Sequence, residues 1–566
     1  MVRLLMLFLG VLLSGRLMAA VDVQTAWGFD GTVVPGGPNL LGVMLTNTGD
    51  KAIEGTVMLQ SGSTMRSHSE PWVTHIFLAP HDSRRVEFAP WINRRDDAWT
   101  LSGTLLTRAM ELTVPRHQKP GRILLVATDD PGGARNGLRI FDEERFPATV
   151  ALCDSLGELV MDHPPRRWSS DQSQALQDWI SAGGTLHLLK GMNGEWPAFT
   201  GDLAALAGQE TRQNLGSGHI IRHQQNRGNP PAEWPTLSGT DRDLEHNNSS
   251  YRRSLTDQLA QGFAMLTRPE HPWWLINLVL LIFLLTVGLG PWLTGRKGVD
   301  WRWINVTLVL LIAGTAWLMT VIGRRGYGEE AVLRSVTLAR QVTPTTWDAC
   351  QWANLFVVAS DRYPVTHAGN NRLYTGIGED PDPASVITIG REGNYQPVIP
   401  LFSNRPFAVR LRQEWTPPLV IEGNDVVRWT GSAPPLDPLL LSDTTVGYLV
   451  RRGKVHNLQL KSAGSTDIRY VLANNSEDRA AFIKRQREIW VLDNATRTPD
   501  AFHTAMLPLV VAEDLHHLGE MGRDEKDQSF AYLLVTALPD ALRATTTVVM
   551  RQDGAVIYRI PFPSTP

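Results

Sequence analysis

Two stretches in the middle of the chain, WWLINLVLLIFLLTVGLG (273–290) and WINVTLVLLIAGTAWLMTVI (303–322), contain no charged residue. Runs of this kind are poorly placed in water, and each approaches the ~20 residues that a helix needs to span ~30 Å of hydrocarbon. The 12-residue connection PWLTGRKGVDWR is too short to hold a domain. The pair is therefore predicted to form a hairpin of two transmembrane helices, over 272–291 and 303–323. Trp273, Trp274, Trp292, Trp301 and Trp303 stand at the ends of the runs, where membrane helices place amphipathic rings. Arg296, Lys297 and Arg302 in the connection predict that it faces the cytoplasm. Arg324 and Arg325 come after the second run, so charge bias alone does not set the orientation.

The N-terminus, MVRLLMLFLGVLLSGRLMAA, has a basic residue at Arg3, an apolar stretch from Leu4 to Leu13 and small residues at Ala19-Ala20. Residues 1–20 read as a signal peptide or an uncleaved anchor, which would export the chain from Val21 onward. At 566 residues, the chain exceeds what one core supports, so several domains are expected. A net charge of −3 gives no electrostatic case for nucleic acid. Cys153 and Cys350 are too few for a disulfide framework and read as two buried thiols.

Residues 21–117 alternate short β-like segments (LLGVMLTN, EGTVMLQ, THIFLA, RRVEFA) with the turn signals PGGP, NTGD and PHDS, which predicts a small β-sandwich. Residues 118–234 change character. Apolar runs at 122–128, 148–153, 158–162, 185–189 and 219–223 surround one helix that can be argued residue by residue. Ser169 is its N-cap with Gln172 three residues on, a capping-box pattern. Ala175, Leu176, Trp179 and Ile180 share a face, and Gly183-Gly184 supplies the stop. Strand, capped helix and strand predict a βαβ unit in an α/β layer with a parallel sheet. Only Asp154 to Gly157 separate the second and third runs, far fewer than a parallel crossover needs. Residues 235–271 read as a linker. Residues 330–566 are again β-like and long enough for two sandwiches. The expected class is thus a multidomain membrane protein: β-sandwich, α/β domain, two transmembrane helices and a sandwich-rich C-terminal region.

This order of parts resembles a family of uncharacterised bacterial envelope proteins. They carry an N-terminal β-sandwich, a class I glutamine amidotransferase-like domain of flavodoxin-like layout, a two-helix membrane hairpin and a β-rich C-terminal domain. The similarity rests on WGFDGTVVPGGPNLLGVMLTNTG (27–49), LQDWISAGGTLHLLKG (176–191), LGPWLTGRKGVDWRWINVTLVLLIAG (289–314) and YQPVIPLFSNRPFAVRLRQEW (395–415). The resemblance implies an inner-membrane location with most of the chain periplasmic. It also implies envelope protein partners, among them MoxR-type ATPase and von Willebrand A-domain components. It implies no assigned reaction and no cofactor.

An amidotransferase needs a cysteine on a tight strand-to-helix turn with a histidine base. The corresponding turn here is Met161-Asp162-His163-Pro164-Pro165, with no cysteine. The expected role is therefore non-catalytic: protein contact, scaffolding or sensing. The alternative is an envelope hydrolase or ligand-binding enzyme. It would use a strand-end rim of Asp129, Asp130, Asp162 and His163, where α/β sheets meet ligands. His219 and His223 share a strand face and lack a third metal ligand. His516-His517 reads as a solvated turn, and Arg166-Arg167 as an exposed loop.

Overall fold

The computed structural model describes residues 21–562, apart from 30, 35–36, 63–69, 93–97, 116–120, 128–137, 232–233, 235–254, 267–272, 296–300, 326–329, 378–383, 391–392, 423–425, 432–444, 463–467, 489–498 and 521–528. The signal segment expected at 1–20 and the turn carrying Asp129 and Asp130 lie outside the described residues. The chain is predominantly β, with 45% strand against 26% helix. This overturns the expected two-span membrane α/β class. Trp301–Thr320 is the one segment among the described residues long and apolar enough to cross a membrane, by length and composition. The earlier run forms a helix over Trp273–Gly295, but its apolar window is the shorter Trp274–Leu289. At ~1.5 Å per residue that window falls short of the ~30 Å hydrocarbon core.

The helices are labelled in chain order: α1 Ser170–Ser181, α2 Leu255–Leu266, α3 Trp273–Gly295, α4 Trp301–Arg325, α5 Arg479–Glu488 and α6 Pro499–Glu520. The side chains described on α3 and α4 are largely exposed, Trp274, Leu284, Val309 and Trp317 among them.

The N-terminal strands form two sheets around one core. Val21–Trp27, Leu41–Asn47 and Ser83–Phe88 make a three-stranded antiparallel sheet. Ile53–Ser61, Trp72–Leu78, Ala98–Ser102 and Met110–Thr113 belong to a six-stranded one. Its remaining two strands come from far along the chain. Val386–Thr388 pairs parallel to Trp72–Leu78 with Ile387 opposite Trp72, and Asn394–Gln396 pairs next to it. The Tyr395 hydroxyl donates to Glu70 Oε1 at 2.7 Å, and Trp72 Nε1 donates to the Tyr374 carbonyl at 3.0 Å.

The two sandwiches entertained for 330–566 are replaced by one 11-stranded sheet. Its middle holds Val332–Gln341 parallel to Arg551–Pro561, flanked by antiparallel partners. Helices α2, α5 and α6 contribute Leu259, Phe263, Phe482, Phe502 and Val511 to the same apolar core as this sheet. Helices therefore occupy the layer that a second sheet would fill in a sandwich. Thr346–Val357 is buried at every position, so it shows none of the alternation that marks a one-sided strand. The stretch read as a linker, 235–271, contains buried α2.

Between these bodies lies a six-stranded sheet. Arg139–Asp142, Arg122–Val126, Glu158–Met161, Thr185–Lys190 and Gly218–Asn226 run parallel in that spatial order, and Arg212–Leu215 closes one edge antiparallel. The apolar run at 148–153 is a 3-10 turn, Val150–Cys153, and not a strand. That removes the difficulty of a four-residue crossover. Helix α1 carries the expected capping box: Gln172 N–H donates to Ser169 Oγ at 3.2 Å, and Ser169 N–H donates to Gln172 Oε1 at 2.9 Å. Its apolar face packs Leu176, Trp179 and Ile180 on Ile123, Leu159 and Leu186. Gly184 is required where it stands, because a Cβ there would meet the Trp179 ring at 2.5 Å. The opposite face is covered by a small cluster of Leu124, Val126, Leu138, Val160 and Leu189, with Ile140 and Trp234 against it. Among the described residues no helix packs there, in contrast to the flavodoxin-like layout with helices on both faces.

Buried ion pairs hold this sheet to the 11-stranded one. Arg410 binds Asp348 through Nε at 2.9 Å and Nη2 at 2.7 Å, and binds Asp154 through Nη1 and Nη2. Arg340 and Arg559 both reach Asp514, which also accepts from the Tyr532 hydroxyl at 2.7 Å. Arg559 Nη2 donates to the Ala182 carbonyl at the end of α1 at 2.9 Å. Arg412 Nε lies 2.6 Å from Asp178 Oδ2 within α1. Each buried charge thus has a partner, as burial demands.

Candidate functional site

The parallel strands end together at their carboxyl edge, where the residues beyond them surround an open cleft of about 920 Å³. Leu124, Ala127, Leu138 and Ile140 give it apolar lining. Asp162 and His163 come after the Glu158–Met161 strand, Lys190 to Asn193 close the Thr185–Lys190 strand, and Asn226 to Gly228 end the next. Strand ends in this position are where open α/β sheets take ligands, because the backbone turns away there and leaves a crevice.

Of the sequence-predicted rim, Asp162 and His163 lie at the cleft, and the structure joins them directly. His163 Nδ1 is 2.6 Å from Asp162 Oδ1. Its other nitrogen, Nε2, is 3.1 Å from Glu143 Oε2. The hydrogen bond to Asp162 is the main influence raising the His163 pKa; burial opposes it, and the charges of Asp162 and Glu143 reinforce it. A carboxylate on each nitrogen favours the protonated imidazole.

Glu143 was not foreseen. It is 3% exposed and sits in the 3-10 turn Glu143–Arg145, capped by the Asp142 side chain. Trp168 Nε1 donates to the Glu143 carbonyl at 2.8 Å, and the Trp168 ring stacks on Phe146 at 4.6 Å. Gln172, besides closing the capping box, donates to the Phe146 carbonyl at 2.7 Å. The start of α1 therefore fixes the turn that presents Glu143. The acidic run Asp142-Glu143-Glu144 was the available signal in the sequence.

The far wall is the loop Gly191 to Glu195. Gly191 N–H donates to the Glu195 carbonyl at 2.8 Å, and Glu195 N–H to Asn193 Oδ1 at 3.1 Å. Trp196 Nε1 donates to the His223 carbonyl at 2.9 Å, which fixes the indole. The Lys190 ammonium lies 5.2 Å from the centre of that ring, within cation–π range.

The two histidines of the Gly218–Asn226 strand are not brought together. His219 contacts Asn214 Oδ1 at 2.9 Å and Arg212 at 3.2 Å. His223 Nε2 instead meets His187 Nδ1 at 2.9 Å, with the Trp234 ring against both imidazoles. Burial, then the neighbouring His187 and Arg122 charges, lowers the His223 pKa to about 4, so it stays neutral. Among the described residues no group of three or more His, Cys, Asp or Glu is arranged to hold a metal ion. His516-His517 lies within helix α6, and His517 approaches Asp154 at 3.7 Å. Neither cysteine is in a disulfide and both are buried, and burial pushes the Cys350 thiol up to about 12.

No family model matches the chain, and no curated protein matches it. Among solved structures, one similar chain is a Paenibacillus sp. cycloisomaltooligosaccharide glucanotransferase complexed with cycloisomaltoheptaose. It is 8% identical over 81% of this chain and 98% of that one, with a TM-score of 0.17. At that TM-score, the likeness carries no argument about fold or activity.

Proposed function

We propose that the protein is a non-catalytic, membrane-associated binding protein. It takes a small ligand in the strand-end cleft, and its β-rich body serves protein contact, scaffolding or sensing in the bacterial envelope. The observation that carries this reading is the cleft with its locked histidine. A crevice of about 920 Å³ is of ligand-binding size. The imidazole at its edge is engaged on both nitrogens, and so offers no base. The described lining includes no cysteine, serine or threonine to act as nucleophile. A hydrolase at the rim draws less support, because Asp162 and His163 satisfy each other. The apolar segment Trp301–Thr320 supports membrane association. An inner-membrane location with the body in the periplasm, and partners of the MoxR and von Willebrand A-domain type, rest on the family resemblance.

The test is a thermal-shift screen of small molecules against the full-length chain and an Ala198→Trp variant, which places a large ring in the cleft from an exposed position. Compounds should stabilise the wild type and lose their effect on the variant. If every stabilising compound acts equally on both proteins, the cleft is not the binding site.

A further inference from the structure

Two pairs of neighbouring large apolar side chains are exposed on the β-rich body: Leu401 with Phe402, and Val548 with Val549. Leu401 is 55% exposed and Val549 98%. Single exposed apolar residues are ordinary on a protein surface. The other large ones described outside α3 and α4, Phe77, Met192, Met265 and Val420, are single. Both pairs sit in fixed turns. Ser403 N–H donates to the Pro400 carbonyl at 3.2 Å, closing a tight turn with Leu401 and Phe402 at its centre. Glycine, asparagine and aspartate are the usual residues there, and Phe402 takes a left-handed φ of +52° that bulky residues avoid. In the second turn the Thr546 hydroxyl donates to the Val548 carbonyl at 2.8 Å and accepts from the Val548 N–H at 3.3 Å.

Strand register places both turns at one end of the 11-stranded sheet. Arg551, Val332, Phe356 and Asn404 lie opposite one another in a row across neighbouring strands. Val549 and Leu401 each come just before their strand's member of this row, on the same side of it. At ~4.8 Å per strand, the turns are about 15 Å apart. Between them Val332 begins the strand by which the chain returns from α4. Residues 326–331 alone connect Arg325 to Val332, a reach of about 25 Å at full extension. The outgoing chain leaves from the same end, where Arg334 donates to the Leu266 carbonyl at the close of α2.

Resting on the membrane association proposed above, we infer that these two turns are lipid contacts. Leu401-Phe402 and Val548-Val549 enter the interfacial layer of the bilayer that receives Trp301–Thr320, and they hold the 11-stranded sheet end-on to the membrane. Apolar side chains gain by leaving water for that layer, and a turn already fixed loses little conformational freedom in doing so. A second copy of the chain or another protein would also cover apolar side chains. The short connection before Val332 favours lipid, because it keeps this end of the body beside the bilayer.

The experiment is fluorescence quenching on the full-length chain, one copy per phosphatidylcholine nanodisc. Leu401→Cys, Val549→Cys, Glu414→Cys and Leu310→Cys each carry a nitrobenzoxadiazole label, and a share of the lipid carries a nitroxide high on its acyl chain. All four positions are exposed. Cys153 and Cys350 are buried, so the unsubstituted chain supplies the background. Labels at Leu401 and Val549 should be blue-shifted and lose most of their emission to nitroxide lipid. The label at Glu414, at the far end of the strand Ser403–Glu414, should lose none. Leu310, within α4, reports on the membrane reading separately. Quenching at Leu310 with none at Leu401 and Val549 would overturn the inference and leave the membrane association standing. No quenching at Leu310 would remove that association and the inference with it. Blue-shifted but unquenched labels at the turns would place them against protein, which also overturns it. Quenching at Glu414 equal to that at the turns would rule out the end-on placement.

Discussion

Arg410 grips the carboxylate of Asp154 from 256 positions along the chain, with Nη2 3.0 Å from Oδ1 and both side chains buried. Burial alone would raise the Asp154 pKa, but the charges of Arg410, His517 and Arg340 and the hydrogen bond from Arg410 together outweigh it and hold the carboxyl well below the usual range. The pair, shared with Asp348, joins the parallel sheet to the 11-stranded one. Arg410→Met would leave Asp154 and Asp348 buried with less compensation, at a cost of about 3–5 kcal/mol. Chemical denaturation should show that loss, and limited proteolysis should cut earlier between the two sheets. Unfolding unchanged within error would remove the ion pair from the account of how the sheets are joined.

His163 gives a pH dependence with a definite sign. Its folded pKa lies above the ordinary histidine value, so its contribution is fully present below about 6.5 and is lost as pH rises through the raised folded pKa. The stability gap between wild type and His163→Gln should therefore be largest in mild acid and shrink toward pH 9. A gap that widens with pH would mean that the imidazole is neutral in the folded protein.

Two glycines separate backbone crowding from backbone conformation. A Cβ on Gly218 would run into the carbonyl oxygens of Ile180 and Gly184. At Gly194 it would meet nothing within 4 Å, although φ is +79°. Gly218→Ala should cost more than about 3 kcal/mol, as large losses come from such clashes. Gly194→Ala should cost about 1 kcal/mol, the penalty of a left-handed conformation for a residue with a side chain. Thermal denaturation of the two variants tests the ranking.

The thiols supply a chemical check. Cys153 and Cys350 are buried, and Cys350 is pushed up to about 12, so almost none of it is thiolate at pH 8. A thiol-reactive dye should label neither residue in the folded protein and both after denaturation. Rapid native labelling would place at least one of them at an opening of the structure.

The features legible in the sequence were local ones. Ser169, Gln172 and Gly183-Gly184 act within a few residues of one another, so α1 and its stop were legible, as was the strand end at Asp162-His163. Glu143 lies 20 residues before His163 and meets it only through the fold. Lys190 and Trp196 likewise reach the cleft from a turn whose shape no spacing rule described. The run at 148–153 misled because a short apolar stretch does not distinguish a strand from a buried 3-10 turn. His516-His517 misled because Gly519 and the charged residues around it resemble a turn, although α6 continues through Glu520. The 11-stranded sheet was hidden by strands buried on both faces, which lose the alternation that would have revealed their partners.

The pairing of Ile387 with Trp72 also constrains the route of the chain. Residues before α3 and after α4 share one folded body: Val386–Thr388 extends an N-terminal sheet, and α2 packs with the C-terminal strands. The chain that leaves at Leu266 must come back to that same body by Val332. Whatever surface the intervening helices enter, they enter and leave it from one side. During synthesis, the strand edge at Trp72–Leu78 waits for more than 300 residues before its last neighbour exists. An open edge of that kind invites the wrong partner, and a chain cut short before Val386 would keep it open permanently.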